Sequence, residues 1–149
     1  IRRISSDGIV STVAGSGVQG FRDGPASFAR FNGPSDVKMD SNGNIVVADR
    51  GNNCIRKITY EGDVSTVAGS THEGLVNGVG AQASFCCPTN IALDGDCNIV
   101  VADCHNDCIR KVGTAGVVVT LAGRGCTGES TASFDEPRGI AVDSDGNVI

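Results

Sequence analysis

The sequence predicts an all-β fold, a run of four-stranded antiparallel β-propeller blades, and three observations lead there. The first is repetition: VVADRGNNCIRKI, from Val46 to Ile58, returns as VVADCHNDCIRKV from Val100 to Val112, an offset of 54 residues. The second is that the offset holds beyond this motif. GIVSTVAG at 8–15 becomes GDVSTVAG at 62–69 and GVVVTLAG at 116–123. Likewise FNGP at 31–34 becomes FCCP at 85–88 and, after a loop five residues shorter, FDEP at 134–137. The third is local: short runs of small and β-branched residues alternate with turns, and no segment keeps helical periodicity over about 11 residues. Four strands repeated every 40 to 55 residues or so describe a propeller blade.

The elements follow in order. Ile1 to Ile4 (IRRI) and Ile9 to Ala14 are strands separated by a turn, and residues 15–33 form a long Gly-rich connection. Asp36 to Asp40 is a strand ended by Ser41-Asn42-Gly43, a hairpin-turn signal. Asn44 to Ala48 follows, its unbroken apolar centre indicating burial on both faces. With Ile55 the IRRI-like strand returns as IRKI. Each period thus holds strands a (DVKMD), b (NIVVA), c (IRKI) and d (VSTVAG). The chain divides into strands c and d of a first blade (1–14), two full blades (34–68 and 88–122), and strands a and b of a last blade (137–149). Polarity then gathers the b–c loops and the long d–a connections on one face, here face one, and the tight a–b and c–d turns on face two. Face one, with its long variable loops, is the expected binding surface.

Composition limits the function. Hydrophobic residues make up 40% and charged residues 19%, as in a folded domain. No apolar run approaches the roughly 18 residues of a membrane-spanning helix. A net charge of −5 argues against bulk attraction to nucleic acid or anionic membrane. The seven cysteines are Cys54, Cys86, Cys87, Cys97, Cys104, Cys108 and Cys126, an odd number that leaves at least one thiol free or bonded to another chain.

Gly139-Ile140-Ala141-Val142-Asp143, Gly43-Asn44-Ile45-Val46-Val47-Ala48-Asp49, Asn52 and Ile55-Arg56-Lys57 resemble the successive strands of the NHL repeat. The VSTVAG segments, followed by a Gly-rich loop and ARF, resemble its longer subtype. The resemblance covers essentially the whole chain and implies a propeller, with six blades in the complete ring. It leaves function open, because members of that family range from protein-binding and RNA-binding propellers to a metal-dependent lyase. Asn53 and Asp107 depart from the family pattern, as do Cys54 and Cys108, which stand where Arg is common. A ring of six would have to be completed by further blades or by a second copy of this chain; a fragment is the favoured reading.

Each candidate residue also has a simpler role. Asp49 and Asn52, with Asp103 and Asn106, could form a carboxylate ring for a cation, but their recurrence in each copy favours structural turn chemistry. Arg2-Arg3, Arg56-Lys57 and Arg110-Lys111 could form a basic belt for RNA, or a charged strand neutralised by nearby acids. Cys104-His105-Asn106-Asp107-Cys108 holds C-x3-C with a His, a metal half-site whose other ligands would come from Cys86, Cys87 or His72. A Cys104–Cys108 disulfide or free thiols are the alternatives. With only His72 and His105 present, no nucleophile constellation can be built. The expectation is therefore a non-catalytic scaffold that binds a protein partner through Arg22, Asp23, Arg50, His72, Glu73, His105 and Arg124. No metal or cofactor and no membrane association are expected, and nucleic acid is disfavoured.

Overall fold

The computed structural model describes residues 1–125 and 132–149, and it is all-β apart from three single-turn 3-10 helices. Strands β1 (Arg2–Ile4) and β2 (Val10–Thr12) form a two-stranded sheet. A five-stranded sheet follows, in the order β3 (Gly24–Pro25), β7 (Asp63–Ala68), β6 (Cys54–Ile58), β5 (Ile45–Asp49) and β4 (Asp36–Met39). The second five-stranded sheet has the same order: β8 (Gly78–Val79), β12 (Val117–Gly123), β11 (Cys108–Val112), β10 (Ile99–Asp103) and β9 (Pro88–Leu93). All named pairings are antiparallel, and β4-β5-β6-β7 and β9-β10-β11-β12 are the expected a-b-c-d blades. Residues 141–149 form a hairpin held by reciprocal hydrogen bonds between Ala141 and Ile149, with a single bridge at Val142 and Val148 rather than two full strands.

The long connection is more ordered than its Gly content implies. Gly24 and Pro25 pair with Val64 and Asp63, adding a fifth strand to the outer edge of the following blade, and Gly78 and Val79 repeat the move on Val118 and Val117. The connection thus leaves face one and descends the blade's flank to the c–d turn, where Ala26 N–H donates to Gly62 O. Arg22 and Asp23, expected in face-one loops, accordingly stand on this flank.

The b–c turns are 3-10 helices at Arg50–Asn52 and Cys104–Asn106. Each ends in a left-handed residue, Asn53 at φ 53° and Asp107 at φ 54°. Asn and Asp tolerate that conformation better than other side chains, which accounts for their departure from the family pattern. Strand d ends on Gly for a steric reason: a Cβ on Gly69 would stand 2.5 Å from Asn53 O.

Strand b is buried on both faces, as its apolar run predicts. Val46 and Ala48 face the next blade, where Ile91, Ile99, Val101, Val112 and Val118 join Ala83 and Phe85 in the largest core cluster. Val47 faces the other way, onto Phe31, Ile58 and Val64. Burial at about 25 cal/mol per Å² makes these inter-blade layers the main source of stability.

Candidate functional site

The most ordered polar assembly lies where strand b, the b–c turn and strand c meet. Asp49 accepts from the Asn32 N–H at 2.8 Å on Oδ1, and from Asn52 Nδ2 and Arg56 Nη1, both at 2.8 Å, on Oδ2. Asp49 and Arg56 are fully buried. Arg56 donates onward to Arg30 O and Arg22 O, and through Nε to Asp23 Oδ1 at 3.0 Å. Its guanidinium also lies 4.7 Å from the Phe21 ring centre and 5.0 Å from that of Phe31. The next blade repeats the arrangement. Asp103 binds the Cys86 N–H, Asn106 Nδ2 and Arg110 Nη1, while Arg110 reaches Ser84 O, Val76 O and Asn77 Oδ1. Burial pushes the Asp103 carboxyl up, while Asn106, the Cys86 N–H and Arg110 hold it down.

These contacts correct one expectation and extend another. Arg56 and Arg110 are not part of a charged outer belt; they are enclosed, and no phosphate can reach them. Their neighbours Lys57 and Lys111 face solvent in part and pair with Asp40 at 3.2 Å and Asp94 at 2.8 Å. Asp49, Asn52, Asp103 and Asn106 do serve the b–c turn. They also anchor the arginine around which the preceding connection is wrapped, since Asn52 and Asn106 donate to Gly20 O and Gly74 O. A cation has no access to these carboxylates.

All seven residues proposed for binding are exposed. Asp23 is nevertheless committed, its carboxylate bound by Arg56 and by the N–H and hydroxyl of Thr66. The Arg22 guanidinium lies 5.8 Å from the Phe28 ring centre. Arg124 N–H donates to Asp107 O at the third strand-d terminus. His105 N–H donates to Cys86 O, and burial, with the charge of Glu73 adding to it, pushes the Cys86 thiol up to about 11. Arg50 stands on the neighbouring b–c turn.

Cys54, Cys86, Cys87, Cys97, Cys104 and Cys108 are all free thiols; Cys126 lies outside the described residues. The Cys104–Cys108 disulfide is not formed. Burial pushes the Cys54 and Cys108 thiols up to about 12, so both are packing groups, and Cys54 Sγ donates to Asn52 O. The His105 side chain groups with Cys86 and Cys87, not with Cys108: the three ligand atoms lie within 4.8 Å of one another. The sequence named both cysteines only as conceivable partners of the C-x3-C pair. The usable signal was instead their departure from Asn32 and Gly33 of the preceding copy.

Fold and repeat define the class of this molecule: a β-propeller segment built from four-stranded blades. Residues 31–58 match the family model of the NHL repeat, and the 54-residue offset carries closely similar residues into the next blade. NHL repeat-containing protein 2 of Bos taurus is 33% identical over 125 residues, covering 80% of this chain and 17% of that protein. This chain therefore spans a small part of that relative's length. Among solved structures, a protein of unknown function from Bacteroides thetaiotaomicron matches 96% of this chain and 36% of its own, with a TM-score of 0.73 at 23% identity. A virginiamycin B lyase from Staphylococcus aureus, solved with quinupristin, matches 99% of this chain and 40% of its own, with a TM-score of 0.61 at 19% identity.

Proposed function

We propose that this propeller segment is a non-catalytic binding scaffold that engages a protein partner through face one. One observation carries the reading: the polar set that repeats is buried, while the b–c turn on face one varies and is exposed. The Asp-Asn-Arg sets recur and are consumed internally, whereas the exposed part of the b–c turn differs between copies, Arg50-Gly51 in one and His105 in the next. A rigid frame presenting changeable loops is the usual architecture of a recognition surface. Arg50, His72, Glu73, His105 and Arg124 are its exposed polar groups, and the blades beyond this segment, or a second copy, would complete the ring.

Catalysis is the second reading, supported by the fold shared with the lyase; it would require residues converging on a central channel. An RNA-binding role is weaker, because the arginines that would carry it are enclosed. The test is partner capture by a face-one variant, Arg50→Glu with Arg124→Glu, against a face-two variant, Asn42→Lys with Asp96→Lys. The face-one pair is expected to lose a partner that wild type and the face-two pair retain. Loss through the face-two pair alone would place the surface on the other side.

A further inference from the structure

We propose that Cys86, Cys87 and His105 form a binding site for a thiophilic divalent metal ion of the zinc class on face one. Their three ligand atoms lie within 4.8 Å of one another. Around a tetrahedral zinc, with Zn–S near 2.3 Å and Zn–N near 2.0 Å, ligand atoms stand roughly 3.3–3.8 Å apart. Small side-chain rotations close that difference. Two thiolates with an imidazole are soft and borderline donors, the set that selects zinc over magnesium or calcium. The fourth position is left for water or an exogenous ligand, as in an open zinc site.

The internal repeat supplies an independent argument, because the preceding blade shows what these positions look like without donors for a metal. There Cys86, Cys87 and His105 correspond to Asn32, Gly33 and Gly51. Asn32 Nδ2 donates to Gly51 O, and a Cβ on Gly51 would stand 2.6 Å from Asn32 Cγ. A histidine therefore enters this turn only if the residue facing it also changes, and in the second blade both have changed. Gly33 has a φ of 54°, where glycine is at ease, and Cys87 has the same φ. A side chain is strained there, and such strain concentrates at functional sites. Three coordinated departures from a structural frame, each adding a metal donor and one adding strain, have no packing explanation, since the three positions are exposed or only half-buried.

The preceding blade also provides the test. The reduced chain is titrated with zinc against a chromophoric chelator, then with cobalt, whose thiolate charge-transfer absorption reports Cys ligation. Wild type is expected to take up one ion per chain. The variants Cys87→Gly and His105→Gly, which restore residues already accommodated in the neighbouring blade, should fold and bind at least 100-fold more weakly. Cys97→Ser, at the face-two a–b turn, should bind as wild type does. Absence of zinc uptake by wild type, or equal affinity in Cys87→Gly, would overturn the proposal, as would uptake of copper(I) alone.

Discussion

Arg56 and Arg110 show how one residue type can organise a blade. Each guanidinium is fully buried, paired to the carboxylate that ends strand b and surrounded by backbone carbonyls of the connection that precedes it. Removing one member of such a pair strands a charge in the interior, at a cost of about 3–5 kcal/mol. The two copies differ in one respect. Arg56 Nε donates to Asp23, whereas Arg110 Nε is buried and has no hydrogen-bond partner, the residue at that place being Asn77. Asn77→Asp should supply the missing acceptor and raise stability by about 1 kcal/mol, a charge-assisted bond discounted for its exposed carboxylate. Urea unfolding midpoints measure this directly; an unchanged or lower midpoint would mean that the Nε is already satisfied by water. The sequence displayed the Asp, Asn and Arg in each copy but not their convergence. Arg56 lies seven positions from Asp49 across a turn, and only the pairing of Val47 with Arg56 and the bulge beside it show that the side chain turns inward.

At the scale of the element, the strands were legible because their apolar and β-branched runs are short and their turns are marked by Ser-Asn-Gly and similar sets. The fifth strand was not, since Gly24–Pro25 and Gly78–Val79 are two-residue segments with one β-former, Val79, between them, too short to read as strands. The a–b turns are tied by Asp40, Asp94 and Asp143, each accepting from the Asn four residues on. Burial works to raise the Asp94 carboxyl, but Lys111, Asn98 and the N–H groups of Asn98 and Asp96 outweigh it and hold the group at about 2. Asp40 and Asp143 are lowered too. A carboxylate depressed in the folded state contributes stability above its unfolded value, near 4, and loses it as pH falls through the folded value. Stability should therefore drop between about pH 4 and pH 2, with Asp94 accounting for about 1 kcal/mol. Denaturant midpoints across that range are the check, and Asp94→Asn should flatten the profile; a profile unaltered by that change would remove the turn from the account.

For the whole molecule, the repeat made the architecture readable while any binding surface stayed open, because the recurring polar residues are spent inside the blades. The outer blade faces follow the same logic. Ile4, Val10 and Ile149 are largely exposed, and Ile140 and Val142 pack against strand b of the second blade to form only a thin third layer. Sheet faces of this kind are stable when covered by another blade. Isolated as 149 residues, the chain should therefore self-associate, and light scattering should give a mass above 15.2 kDa, with a pair of chains as the smallest ring-like assembly. A monodisperse species at 15.2 kDa would show that the outer faces need no cover.

The outermost strand of each five-stranded sheet belongs to the connection that comes before it. During synthesis, residues 24–25 leave the ribosome well ahead of Asp63 and Val64, the residues they pair with. The residues that close each blade are thus made before the edge they close, so that edge meets its cover as soon as it is synthesised.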